Sequence, residues 1–189
     1  NSVNDDDRIN NVAIIGAGIM GQGIAQTVAG MGLEVTIVEI DADKLENAKA
    51  QLTETIDREI KRWAMTKSDK KAIFSRIKWS TDVNSVKDSE IIIEAVQEDF
   101  DLKVSVFKML DKIANPEAIF VSNTSTLSLT NISESITRPS NVIGMHFLNP
   151  VPKIPMVELV KSLHTSNETV LKVKEFASRI GKTPVEVYE

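Results

Sequence analysis

Residues 11–41 read NVAIIGAGIMGQGIAQTVAGMGLEVTIVEID. The order is strand, glycine turn, helix, strand. Val12, Ala13, Ile14 and Ile15 form a short apolar run of the kind that a strand buried on both faces requires. Gly16, Gly18 and Gly21 give G-x-G-x-x-G. Ile24, Ala25, Val28 and Ala29 then recur at helical spacing toward Gly32, a C-terminal stop. Val35, Ile37 and Val38 make a second strand, with Glu39 at its carboxyl end. Each part has a task in holding a dinucleotide: Gly16 allows the tight turn, Gly18 the approach of a pyrophosphate, and Gly21 the close packing of helix on strand. The helix N-terminus offers unpaired N–H groups and the positive end of a dipole. Glu39 stands at about the spacing, about 20 residues on, where an acid takes the ribose hydroxyls. The plainer alternative is a glycine turn that only packs. A 2′-phosphate beside Glu39 would meet repulsion of about 4 kcal/mol at 4 Å for an effective dielectric of about 20. That is about a thousandfold in affinity, so NAD is favoured over NADP.

The chain has 189 residues, 42% of them hydrophobic, which suits one large globular domain and argues against disorder. It has no cysteine, so disulfides, thiolate metal sites and cysteine nucleophiles are excluded. The net charge of −5 gives no general attraction to nucleic acid or to an anionic membrane. No apolar run reaches the length of a transmembrane helix. Residues 1–8, acidic and without an apolar stretch, read as a disordered or tag-like tail, leaving 9–189 as the domain.

Further along, Asp41 or Asp43 caps a long helix whose apolar face runs through Leu45, Ala48, Leu52, Ile56, Ile60 and Trp63. Lys61, Arg62 and Lys67 cluster near its end, either as a solvated helix terminus or as a patch for a phosphorylated ligand. A short helix from Ser68 and a strand at Ile77–Ser80 come next. Glu90–Val96, Ala118–Val121, Val142–Met145, Met156–Val160 and Pro184–Val187 read as further strands. Helices are expected from about Leu102 to Ile113, with Val106, Met109, Leu110 and Ile113 inward, and from Glu168 to Arg179. Alternating strands and helices imply an α/β, doubly wound, mostly parallel sheet of the Rossmann type. Ligands of such sheets sit at the carboxyl ends of the strands, where Glu39, Glu98, Ser122–Ser125 and His146–Asn149 converge.

Of the two histidines, His146 lies where a strand meets the proline-punctuated loop of MHFLNPVP. If the next strand doubles back, Glu158 reaches one imidazole nitrogen and leaves the other facing a ligand with a fixed tautomer. Such a pair suits proton transfer near neutral pH. His164 reads as structural. Ser122, Asn123, Thr124 and Ser125 form a polar cluster directly after a buried strand, either a turn or a set of groups for a substrate oxygen and a carboxamide. Glu98 and Lys103 bracket a helix start.

GAGIMGQGIAQ, Glu39, EAVQED, SNTSTLS and HFLNPVP followed by Glu158 together resemble the L-3-hydroxyacyl-CoA dehydrogenases, in particular the short 3-hydroxybutyryl-CoA type, from about residue 9 onward. The resemblance implies reversible oxidation of the 3-hydroxyl of an L-3-hydroxyacyl-CoA by NAD, without a metal. It implies His146 as general base, Glu158 as its partner and Ser125 as a hydrogen-bond donor to the substrate oxygen. It places Gly16, Gly18, Ile19, Met20, Gly21 and Glu39 on the cofactor, with Glu98, Lys103, Asn123, Ser125 and Asn149 near the nicotinamide and its ribose. Thr55 and Arg62 fall where the family meets coenzyme A. The family continues into a helical second domain that carries most of a homodimer contact. On that resemblance the chain is expected to be a cytoplasmic (or, in a eukaryote, mitochondrial matrix) enzyme's cofactor domain, binding NAD with little turnover alone. Gln97 and Leu148 depart from the family's usual apolar and aromatic residues. The rival readings are a dehydrogenase of a related 3-hydroxy acid or sugar acid, and an NAD-binding module without catalysis.

Overall fold

The computed structural model describes residues 4–189. Within the expected N-terminal tail, Asp5–Asp7 form one 3-10 turn, and Arg8 pairs with Glu175 at 3.3 Å. The strands are Asn11–Ile15 (β1), Glu34–Val38 (β2), Ile77–Ser80 (β3), Ile91–Glu94 (β4), Ile119–Ser122 (β5), Val142–Phe147 (β6), Met156–Lys161 (β7) and Thr183–Tyr188 (β8). The helices are Ile19–Gly30 (α1), Ala42–Lys61 (α2), Lys67–Arg76 (α3), Phe100–Ile113 (α4), Leu129–Ser133 (α5) and Asn167–Arg179 (α6). One sheet carries all eight strands in the order β3-β2-β1-β4-β5-β6-β7-β8. Every neighbouring pair is parallel except β6 and β7.

The apolar runs of β1, β4 and β5 are buried on both faces, as central strands of such a sheet must be. Two cores result. On one face Ile14, Ile37, Ile91 and Ile93 meet α1, α2 and α6 through Ile24, Val28, Leu52, Ile56 and Phe176. On the other, Ala13, Ile92 and Phe120 meet α4 and α5 through Phe107, Leu110 and Ile132. Polar caps start the helices: Asp41 accepts from the N–H groups of Asp43 and Lys44, Asp99 from Leu102, and Ser166 from Thr169.

Three local expectations fail for physical reasons. The long helix stops at Lys61, short of Trp63. The Trp63 N–H reaches the Ile60 carbonyl and the Ala64 N–H the Glu59 carbonyl, a C-terminal stop that turns Trp63 to φ 60 and leaves its indole 95% exposed. The strand expected through Val96 ends at Glu94, whose side chain takes the Val96 N–H at 2.9 Å and turns the chain. Met109 faces a cleft instead of the core, and Lys103 occupies the buried face of α4 instead.

At its first turn α1 comes close to the backbone just after β1, with no room for a side chain between Gly21 and Gly16. A Cβ on Gly21 would lie 2.1 Å from the Gly16 carbonyl oxygen, and Gly16 itself has φ +106. Gly21→Ala should therefore destabilise the fold by about 2 kcal/mol or more, lowering the melting temperature by about 4–8 °C for a chain of this size. Thermal unfolding followed by circular dichroism checks this; an unchanged midpoint contradicts it.

Candidate functional site

The turn between β1 and α1 aims the first turn of α1 at a cleft of about 540 Å³ at the carboxyl edge of the sheet. Gly16, Ala17, Gly18, Glu39, Lys44 and Ala95–Gln97 line it. Gly18 is the N-cap and has no capping side chain; the first intrahelical bond runs from the Gln22 N–H to the Gly18 carbonyl. The N–H groups of Ile19, Met20 and Gly21 are thus the helix's free donors. A Cβ on Gly18 would meet nothing within 4 Å, so the space above it stays open to a ligand backbone. Free donors, a dipole end, an open glycine and an acid at the next strand end fit a dinucleotide pyrophosphate and ribose. Glu39 is half-buried, and its Oε1 accepts from the Asp41 N–H at 3.3 Å.

A second hollow lies beyond β5, lined by Thr124–Leu129, Gly144, His146, Glu158, Val160 and Val187–Glu189. β7 doubles back on β6, so His146 and Glu158 stand directly opposite in register. His146 Nδ1 lies 3.3 Å from Glu158 Oε2, a long contact between half-exposed groups. A pair of this kind tightens when ligand excludes water. His164 lies elsewhere, with Nε2 at 2.8 Å from Glu134 Oε1.

Between the cleft and the hollow sits a knot of polar groups. Glu98 accepts from the Thr124 hydroxyl and the Ser125 N–H, each at 2.9 Å, and from the Ser125 hydroxyl at 3.2 Å. Lys103 is buried, with its Nζ 3.4 Å from Glu98 and 2.7 Å from Glu94. Asn123 faces the strands: its Oδ1 accepts from the Phe147 N–H at 3.2 Å, tying β5 to β6. Burial alone would push the Glu98 carboxyl up. The Ser125 N–H, the Thr124 hydroxyl and the Lys103 ammonium outweigh it and hold Glu98 below the ordinary glutamate value.

Asn149 is exposed and opens a third groove, between α1, α2 and the loop after β6, with Ile19, Gln22, Gln51, Thr55, Arg58 and Pro152. Arg62 does not line it. The helix ends before Arg62, and Arg58, one turn nearer the sheet edge, takes that place. Lys70, on α3 beyond the end of that helix, is held by Asp57 at 2.7 Å. Lys182, in the turn before β8, holds the loop: its Nζ donates to the carbonyls of Val151 and Ile154, both at 2.5 Å, and burial pushes its pKa down. Sequence reading had no role for Glu94, Arg58 or Lys182. Glu94 was the discoverable one, because an acid inside the apolar run EIIIEAV must find a buried partner.

The lowered Glu98 carboxyl implies a pH effect. Its stabilising contribution is complete above the unfolded glutamate value of 4.5 and is lost as pH falls through the lower folded value. Glu98→Gln should be less stable than the parent at neutral pH and should lose less stability on acidification below about pH 5. Urea unfolding across that range checks this; acid limbs of equal slope contradict it.

A family model described as "3-hydroxyacyl-CoA dehydrogenase, NAD binding domain" matches residues 11–189. A probable 3-hydroxybutyryl-CoA dehydrogenase of Bacillus subtilis (strain 168) is 39% identical over 179 residues, which are 95% of this chain and 62% of that protein. The fatty acid oxidation complex subunit alpha of a Shewanella species is 37% identical over 183 residues, 96% of this chain and 26% of that protein. The crystal structure of (S)-3-hydroxybutyryl-CoA dehydrogenase PaaH1 from Ralstonia eutropha superposes with a TM-score of 0.93 at 40% identity, covering 96% of this chain and 64% of that one. The chain thus spans under two thirds of the length of these relatives. Among the described residues, no helix is long and apolar enough to cross a membrane.

Proposed function

Since the chain belongs to the 3-hydroxyacyl-CoA dehydrogenase family by its NAD-binding domain, we propose that it carries the reacting groups for reversible oxidation of an L-3-hydroxyacyl-CoA to the 3-oxoacyl-CoA. The observation that carries this reading is the register that sets His146 against Glu158 beside Ser125, next to a dinucleotide cleft. NAD, when bound, supplies the hydride acceptor. Gly16, Gly18 and the N–H groups of Ile19, Met20 and Gly21 hold its pyrophosphate, and Glu39 the adenosine ribose.

With Nδ1 turned to Glu158, His146 leaves Nε2 for the substrate hydroxyl and takes its proton as the hydride departs. Glu158 fixes the tautomer and stabilises the imidazolium that forms. In the reverse direction the same nitrogen returns the proton. Ser125 exchanges its hydroxyl bond to Glu98 for one to the substrate oxygen, while its N–H stays on Glu98 and keeps it in place. Lys103 and Glu98 form the floor beneath the nicotinamide ribose, with Asn123 and Asn149 flanking it. The coenzyme A arm follows the groove from Asn149 along Thr55 and Arg58, apolar on the side of Ile19, Leu52, Val151 and Pro152. Arg62 lies further on, where it can meet the nucleotide end.

In a form of the protein that consumes NADH with acetoacetyl-CoA, His146→Gln should lower kcat by about 10²–10⁴-fold with little change in the KM for NADH. Glu158→Gln should cause a smaller loss in the same direction. Initial rates of NADH consumption check both; a His146→Gln enzyme of undiminished kcat contradicts the assignment. Free coenzyme A should compete with the thioester. Failure to compete would point to a substrate without that arm.

A further inference from the structure

Glu94 has no part in the proton transfer above, yet its setting is the most enclosed of any acid in the site. It closes β4 and is fully buried, and its carboxylate is saturated. Oε2 accepts from Lys103 Nζ at 2.7 Å and from the Val96 N–H at 2.9 Å, while Oε1 accepts from the Ser122 hydroxyl at 2.7 Å. Lys103, also buried, turns its other hydrogens to Glu98 at 3.4 Å and to the Val96 carbonyl at 3.5 Å. Two carboxylates share one ammonium, so the cluster carries a net charge of −1. If Glu94 were neutral, Lys103 would cancel Glu98 and the cluster would carry none.

The place of the cluster gives that charge a meaning. Val96 and Gln97, between Glu94 and Glu98, line the dinucleotide cleft, and Ser125, bonded to Glu98, lines the hollow of His146. A hydride passes between the nicotinamide and the carbon whose hydroxyl faces His146, so the ring must lie at the junction of the two. The oxidised ring is positively charged and the reduced ring is neutral. A charge fixed behind a buried carboxylate is weakly screened by solvent and salt.

We propose that Glu94 sets the redox preference of this site: by taking up the charge of Lys103 it leaves the junction net negative, which favours NAD+ over NADH. It is a positioning residue, acting through Lys103 and Glu98 and touching neither cofactor nor substrate. The inference rests on the reading of His146 as the proton acceptor, which is what puts the nicotinamide at the junction.

The test is calorimetric binding of NAD+ and of NADH, each alone, to the parent chain and to folded variants. For a unit charge about 10 Å from the ring in an effective dielectric of about 20, Glu94→Gln should lower the ratio Kd(NADH)/Kd(NAD+) by about tenfold. Glu94→Gln with Lys103→Met restores the net charge through Glu98 alone and should return the ratio to near the parent's. A purely structural Glu94 would weaken both nucleotides together and leave the ratio where it was. Glu98→Gln, altered at the more exposed end of the cluster, should lower the ratio in the same sense, and it serves if Glu94→Gln does not fold. A constant ratio across the folded variants overturns the proposal while leaving NAD binding intact. A parent chain that binds neither nucleotide overturns the cofactor reading with it.

Discussion

Everything at the carboxyl edge depends on the contact of α1 with β1, where no Cβ fits between Gly21 and the Gly16 carbonyl. That approach fixes the direction of the helix, and the direction puts its free N–H groups over the sheet edge. The strand order supplies the opening. β2 and β3 lie on one side of β1, and β4 onward on the other, so the connections leaving β1 and β4 diverge there. A crevice forms at such a switch point without any residue having to be carved away. Gly16–Gly18 form one lip of it and Ala95–Gln97 the other.

The single antiparallel pair does the second part of the work. In a parallel sheet only the last residues of each strand reach the active edge. Because β7 runs back from that edge, its early residues lie there too, and Glu158 meets His146 near the end of β6. The intervening loop, held by Lys182 through two carbonyls, carries Asn149 to the mouth of the third groove. Charge then divides the edge into regions. The buried ion pair of Glu94 and Lys103 would be costly if either partner were removed alone, and it anchors Glu98 and through it Ser125.

Much of this was legible in the residues. The central strands are apolar runs with no alternation, and the glycine spacing after the first of them demands a tight turn and a closely packed helix. Glu39, His146, Glu158 and Ser125 were visible as polar groups directly beside strand ends. Legibility fails where side chains overrule periodicity. Trp63 matches the apolar face of α2 by spacing, but the helix has already turned under it. Lys103 was legible as a cation bracketing a helix start with Glu98, but its burial was not, because only the position of Glu94 on the neighbouring strand makes that possible. Arg58 displaces Arg62 from the groove because the end of the helix, a local hydrogen-bonding event, decides which turn faces inward. Pairing across the sheet is the information that a single sequence conceals most.

The main proposal is that the dinucleotide cleft and the hollow of His146 serve one reaction centre. A crystal structure of the protein with NAD+ and acetoacetyl-CoA bound tests it without intermediaries. The nicotinamide should lie at the junction beside Glu98, with the 3-oxo oxygen within hydrogen-bonding reach of both His146 Nε2 and the Ser125 hydroxyl, and the coenzyme A arm along Thr55 and Arg58. A nicotinamide held away from His146, or an acyl chain bound outside the hollow, would contradict it.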